Sequence, residues 1–277
     1  MKDVRALVVT GFGINCEEET AAAYRLAGAQ ARIAHLNDLF LEKLWLHDYQ
    51  ILHFPGGFSF GDDLGSGKVL ANKMRYKRLK GGELFFDHLE RFLADGNYIL
   101  GICNGFQALV KMGLLPNIAG SFEQEVTLTR NNSAKFEDRW VTCRARPDAT
   151  PFLKGIELID LPVRHGEGKL VLRDAAVQAA VLEQGLNCLT YVDQAGEATE
   201  DYPANPNGSA LCCAGLTDPS GHVFGLMPHP EAFLSIYNHP DWPRKVREGG
   251  TRAPADESGQ GLQIFRNIVD HVAGKGE

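Results

Sequence analysis

Cys103 stands between two near glycines in Tyr98-Ile99-Leu100-Gly101-Ile102-Cys103-Asn104-Gly105-Phe106-Gln107, where an apolar run gives way to helical spacing. A thiol at such a junction is the cysteine form of the nucleophile elbow. The sharp turn presents the sulfur, and the glycines leave room for close approach. A helix N-terminus at the same point supplies free N–H groups and the positive end of a dipole, which favour the thiolate. The stretch equally suits an ordinary strand-to-helix turn with a small buried cysteine. Near the other end stands Met227-Pro228-His229-Pro230-Glu231. Residues two apart in an extended segment point the same way, and Pro230 biases His229 toward extended geometry. Glu231 would then fix the imidazole tautomer and stabilise its charged form. Alone, this pentapeptide reads as a surface His-Pro turn; beside the elbow cysteine it composes a Cys-His-Glu triad for covalent catalysis.

The elements needed to bring those residues together are visible as a strand–helix alternation. Arg5–Thr10, Ala31–Leu36, Gln50–Phe54 and Asn97–Ile102 read as strands, and Glu17–Ala27, Glu83–Ala94 and Gly105–Met112 as helices. Such alternation predicts a doubly wound, mostly parallel sheet, whose strand ends collect ligands at one edge. Pro55-Gly56-Gly57-Phe58-Ser59 follows one strand, so Gly57 can offer its N–H to an oxyanion together with the Asn104 amide. Gly11-Phe12-Gly13 lacks the third glycine of a dinucleotide fingerprint, and Asn15-Cys16-Glu17 reads as the start of a helix. Beyond Gly120, Glu123–Arg130 and Arg139–Arg146 alternate polar and apolar residues around a polar turn, which predicts an antiparallel hairpin added to the sheet. Ile156–Val163, Cys188–Asp193 and Val223–Met227 follow as strands and Ala175–Gln184 as a helix. Asn238–Gln260 is polar and predicts no regular structure, and Leu262, Phe265, Ile268, Val269 and Val272 mark a docking helix.

Composition narrows the function classes. The chain has 277 residues, 44% of them hydrophobic, which suits a sizeable core. Its net charge of −7 argues against affinity built on phosphate neutralisation, and so against nucleic acid as partner. Nine histidines show no metal-ligand spacing, and six cysteines form no CxxC pair and no disulfide scaffold. The charged N-terminus and the lack of a long apolar run predict a cytoplasmic protein without a membrane span. Lys68, Lys73, Arg75, Lys77, Arg78 and Lys80 form a basic run, readable as a solvated face or as a docking surface.

Together these motifs resemble the class I (triad) glutamine amidotransferases, and more narrowly the glutaminase subunits of phosphoribosylformylglycinamidine synthases in purine biosynthesis. The resemblance is carried by Gly13-Ile14-Asn15-Cys16-Glu17, Phe54-Pro55-Gly56-Gly57-Phe58-Ser59-Phe60-Gly61-Asp62, the elbow, His165-Gly166-Glu167-Gly168, Tyr202 to Ser209, and His229-Pro230-Glu231. It implies a flavodoxin-like α/β fold forming one amidotransferase domain over 1–277, with an insertion near 65–82 and an extended segment 238–277. Cys103 would be the nucleophile, His229 the acid/base and Glu231 its orienting carboxylate; Gly57 and Asn104 would form the oxyanion hole, and Gln107 would help hold glutamine. The resemblance implies no metal and no cofactor in this chain. ATP and Mg would be used by a large synthetase subunit, which with a small accessory subunit would be its partner. The family usually carries arginine where this chain has Ala232. An amidotransferase serving another acceptor, or a non-catalytic flavodoxin-like regulatory subunit, are the alternative readings.

Overall fold

The computed structural model describes residues 3–248 and 257–274. In its first half, β1 (Arg5–Thr10), β2 (Gln30–His35), β3 (Ile51–Phe54) and β4 (Tyr98–Ile102) alternate with α1 (Glu17–Leu26), the short α2 (Leu36–Phe40), α3 (Lys68–Tyr76), α4 (Phe85–Ala94) and α5 (Asn104–Met112). β5 (Val126–Thr129), β6 (Glu137–Ala145), β7 (Leu158–His165) and β8 (Lys169–Leu172) follow. After them come α6 (Ala175–Glu183), β9 (Asn187–Val192), β10 (Cys213–Thr217), β11 (Val223–Leu226), α7 (Trp242–Glu248) and α8 (Gly261–Val272).

Nine strands form one sheet in the order β2-β1-β3-β4-β11-β10-β9-β6-β7. From β2 to β11 every pairing is parallel, which is the 2-1-3-4-5 order of a flavodoxin-like doubly wound sheet. β3, β4 and β11 are buried at every residue, as strands covered on both faces must be. The cover comes from α1 packed on α8 and from α3 packed on both α4 and α5. Leu262, Ile264, Phe265, Ile268 and Val269 form the buried stripe of α8, the docking helix expected from the sequence. Among the described residues no helix is long and apolar enough to cross a membrane.

Two expectations are corrected. The segments around Asn131 do form strands, but they do not pair with each other. β5 pairs with β8 in a separate two-stranded sheet, whereas β6 lies between β7 and β9 in the large sheet. The separator is Asn131, buried and bonded to distant chain: its Nδ2 donates to the His165 carbonyl at 2.8 Å and its Oδ1 accepts from Gly168 N–H at 3.0 Å. That side chain ties the segment between β5 and β6 to the end of β7 and to the residue before β8. In the polar stretch Asn238–Gln260, α7 occupies Trp242–Glu248, and residues 249–256 lie outside the described set. The basic run 68–80 is largely helical, as α3. Arg75 within it is not a free surface cation: its guanidinium donates to the Phe122 carbonyl at 2.7 Å and lies 4.9 Å from the Phe86 ring centroid.

Candidate active site

β4 ends in the turn that carries Cys103. The backbone there adopts φ 51 and ψ −105, a conformation an L-residue holds only when its surroundings impose it. Those surroundings are explicit. The Cys103 N–H donates to the Leu226 carbonyl of β11 at 2.8 Å, and α5 starts at the next residue. Both glycines are required by contact. A Cβ on Gly105 would stand 1.8 Å from the Phe54 carbonyl oxygen, and one on Gly101 would stand 2.5 Å from a Leu109 methyl. The elbow is therefore wedged between β3 and its own helix, with the thiol donating to the Arg164 carbonyl at 3.6 Å.

His229 follows β11. Its N–H donates to the Pro162 carbonyl at 2.8 Å, anchoring the residue to β7. Glu231 Oε1 lies 2.5 Å from His229 Nδ1, and both side chains are buried. Burial pulls the imidazole pKa down, but attraction to Glu231, and after it to Cys103, outweighs it and holds the pKa well above the histidine range. The arrangement favours imidazolium beside the sulfur. His165, at the end of β7, behaves oppositely: burial, then repulsion from His229, push its pKa down to about 3.

A cavity of about 480 Å³ opens over these groups, lined among others by Cys103, His229, Gly57, Gln107, Cys16 and Glu167. Gly57, at φ +139, has no room for a side chain, since a Cβ would lie 2.7 Å from the Gly13 carbonyl oxygen. The Asn104 and Gln107 side chains are both engaged inside the protein. The Asn104 side chain clamps the glycine loop: its Oδ1 accepts from Ser59 N–H at 3.1 Å, and its Nδ2 donates to Asp62 Oδ1 at 3.1 Å and to Gln107 Oε1 at 3.0 Å. Its backbone N–H belongs to the first turn of α5, where the helix itself has no acceptor for it. The Gln107 amide nitrogen donates to the Glu167 carbonyl, so Gln107 lines the cavity but is tied into the wall. Burial raises the Asp62 pKa against bonds from Gly67, Ser66 and Asn104.

In the sequence Cys16 reads as a helix start within a family motif, with no role in the site assigned to it. It does precede α1, yet its side chain makes no cap bond. The N–H groups of Asn15 and Cys16 both donate to the Gly56 carbonyl, at 3.2 and 3.3 Å, which draws the thiol to the imidazole. A Cβ on Gly56 would meet His229 Cε1 at 2.8 Å and Cys16 Sγ at 3.1 Å.

The sequence family described as the CobB/CobQ-like glutamine amidotransferase domain matches residues 3–272. The phosphoribosylformylglycinamidine synthase subunit PurQ of Dehalococcoides mccartyi is 44% identical, over 97% of this chain and 98% of that one. The chain belongs to the PurQ family of glutamine amidotransferases. The PurQ subunit of Archaeoglobus fulgidus is 33% identical to this amidotransferase over 98% of both chains. Among solved structures, one titled as that of PurLQS from Thermotoga maritima superposes with a TM-score of 0.69 at 29% identity, covering 98% of this amidotransferase and 100% of that chain.

Proposed function

We propose that this chain is the glutaminase of a phosphoribosylformylglycinamidine synthase, acting through Cys103, His229 and Glu231. One observation carries the catalytic assignment: a cysteine at positive φ on a strand-to-helix elbow shares one cavity with an imidazole held 2.5 Å from a buried carboxylate. The Cys103 thiolate attacks the side-chain carbonyl carbon of glutamine, forming the C–S bond, and the oxyanion is met by the Gly57 and Asn104 N–H groups. Imidazolium at His229 protonates the nitrogen as the C–N bond breaks, releasing ammonia and leaving a glutamyl thioester. Water then attacks the thioester with His229 taking its proton; the C–S bond breaks, glutamate leaves, and the thiolate beside imidazolium is restored. Glu231 holds the imidazole throughout. Gln107, in the wall, shapes the space for the glutamine chain.

The relatives' names and the PurLQS likeness support delivery of the ammonia to a large synthetase subunit that makes the amidine from formylglycinamide ribonucleotide, in a complex with a small accessory subunit. ATP and Mg act in that synthetase, and glutamine hydrolysis by this chain needs no cofactor of its own. We place the reaction in the cytoplasm, where the thiols stay reduced.

Replacing Cys103 by alanine tests the reading in the reconstituted complex. Glutamine-dependent synthesis should disappear while ammonia-dependent synthesis continues at the parent rate. Glutamine turnover in Cys103→Ala near the parent rate would remove the nucleophile assignment.

A further inference from the structure

The mechanism needs the Gly57 N–H held in place, and glycine brings no side chain to hold it. The two residues after it are anchored instead. Phe58 N–H donates to the Gly13 carbonyl at 2.8 Å, and Ser59 N–H donates to Asn104 Oδ1 at 3.1 Å. Among the described residues no acceptor takes the Gly57 N–H itself. The Ser59 anchor works only while the Asn104 amide turns its oxygen that way, and what fixes an amide is what faces its nitrogen. Asn104 Nδ2 lies 3.1 Å from Asp62 Oδ1 and 3.0 Å from Gln107 Oε1. An ionised carboxylate only accepts hydrogen bonds, so Asp62 admits one orientation of that amide. Gln107 is oriented in turn by the Glu167 carbonyl. Asp62 is itself held: Gly67 N–H donates to Oδ1 at 3.3 Å, and the Ser66 hydroxyl donates to Oδ2 at 3.1 Å. Phe60, Gly61 and Asp62 have φ of 55, 68 and 54, and this left-handed turn brings the carboxylate onto Asn104.

We infer that Asp62 is a positioning residue for the oxyanion hole: through the Asn104 side chain it sets the glycine loop, and so the Gly57 N–H, against the developing charge. The inference rests on the glutaminase reading and adds to it a residue that makes and breaks no bond. Asn104 then has two roles, a backbone N–H that meets the oxyanion and a side chain that aligns the other donor. Oxyanion donors must match the position of the charged oxygen in the transition state, not that of the substrate carbonyl. A loosened loop therefore costs the chemical step more than it costs glutamine binding. Alkylation of the Cys103 thiolate by a haloacetamide forms a C–S bond as halide leaves and passes through no oxyanion. The same loosening should leave that reaction alone.

The test removes the anchor and then swaps its two polar partners. Glutamine hydrolysis is measured in the complex, and alkylation of Cys103 by iodoacetamide is followed by the mass of its peptide. Asn104→Ala keeps the backbone N–H and loses the anchor without adding charge. Its kcat should fall on the order of 10²-fold, the loss expected for one oxyanion-hole donor, while KM and the alkylation rate stay within about twofold of the parent. In Asn104→Asp two carboxylates face each other, and kcat should fall as far. In Asp62→Asn/Asn104→Asp the amide at 62 can donate to the carboxylate at 104, whose other oxygen still accepts from Ser59. That double variant should regain at least about tenfold of the kcat lost in Asn104→Asp. Parent-like kcat in Asn104→Ala, alkylation slowed as much as turnover, or no recovery in the double variant would each overturn the positioning role and leave the glutaminase reading intact. A parent complex that does not hydrolyse glutamine would overturn that reading, and this inference with it.

Discussion

Glu231 and His229 form the closest charged contact of the site, 2.5 Å apart and out of solvent. Removing the charge but keeping the shape, as in Glu231→Gln, takes away the main attraction opposing burial, so the imidazole pKa falls. His229 then carries its proton only at lower pH, and the alkaline limb of the glutaminase pH profile should move downward while measurable activity remains. His229→Asn removes the proposed proton carrier itself and should cost on the order of 10²–10⁴-fold. A Glu231→Gln variant more damaged than His229→Asn, with its pH limb in place, would reverse these roles. Cys103, His229 and Glu231 were legible in the sequence because each sits in a local pattern whose geometry follows from neighbouring residues. Cys16 was not. Its place in the site depends on two N–H groups finding the Gly56 carbonyl forty residues away, and Asn-Cys-Glu carries no trace of that contact. The Asn104 clamp on the glycine loop was hidden for the same reason, since local sequence announces only the backbone amide.

At the scale of elements, the elbow depends on how close α5 comes to β3. The Gly105 position has no space toward the Phe54 backbone, and backbone cannot swing aside as a side chain can. Gly105→Ala must therefore displace the helix and with it the Cys103 turn. We expect a loss of stability of about 1–3 kcal/mol or more, seen as a lower denaturant midpoint, together with loss of glutamine hydrolysis. Gly81→Ala is the control, because nothing lies within 4 Å of a Cβ there. Parent-like stability and turnover in Gly105→Ala would show that the wedge is not what sets the turn. The parallel half of the sheet was legible because each strand–helix unit is local and buried on both faces. The antiparallel half was not, because alternation identifies a half-buried strand without naming its partner. β5 and β6 look like two arms of a hairpin until Asn131 ties the turn to His165 and Gly168. In the basic run, Arg75 is held against Phe86 and Phe122, Lys73 lies over the Phe60 ring and Arg78 donates to the Gly82 carbonyl, so a charge-reversal test of docking belongs to Lys77 and Lys80.

Across the whole molecule, three buried histidines set opposing pH dependences. His53, in the core of β3, sits 3.0 Å from the Tyr24 hydroxyl, and burial pushes its pKa down to about 3. His165 is brought to about 3 by burial and then by His229. Between about pH 6.5 and 3 the unfolded chain binds protons at these two positions that the native chain refuses, so stability falls as the solution is acidified through that window. Each contributes up to about 1.4 kcal/mol per pH unit. His229 acts in the other direction. Its native pKa lies above the unfolded value, so its contribution is complete below about pH 6.5 and fades as pH rises through the raised native value. Stability should therefore peak between the two limbs, near neutrality. Replacing His53 by glutamine keeps a polar partner for Tyr24 and removes one titrating group, so the acid limb of the denaturant midpoint should become shallower between pH 6.5 and 4.5. The limb above pH 6.5 that comes from His229 should keep its slope in His53→Gln. An acid limb as steep in His53→Gln as in the parent would mean that His53 is not held neutral in the folded core, and that the carboxylates govern acid stability instead.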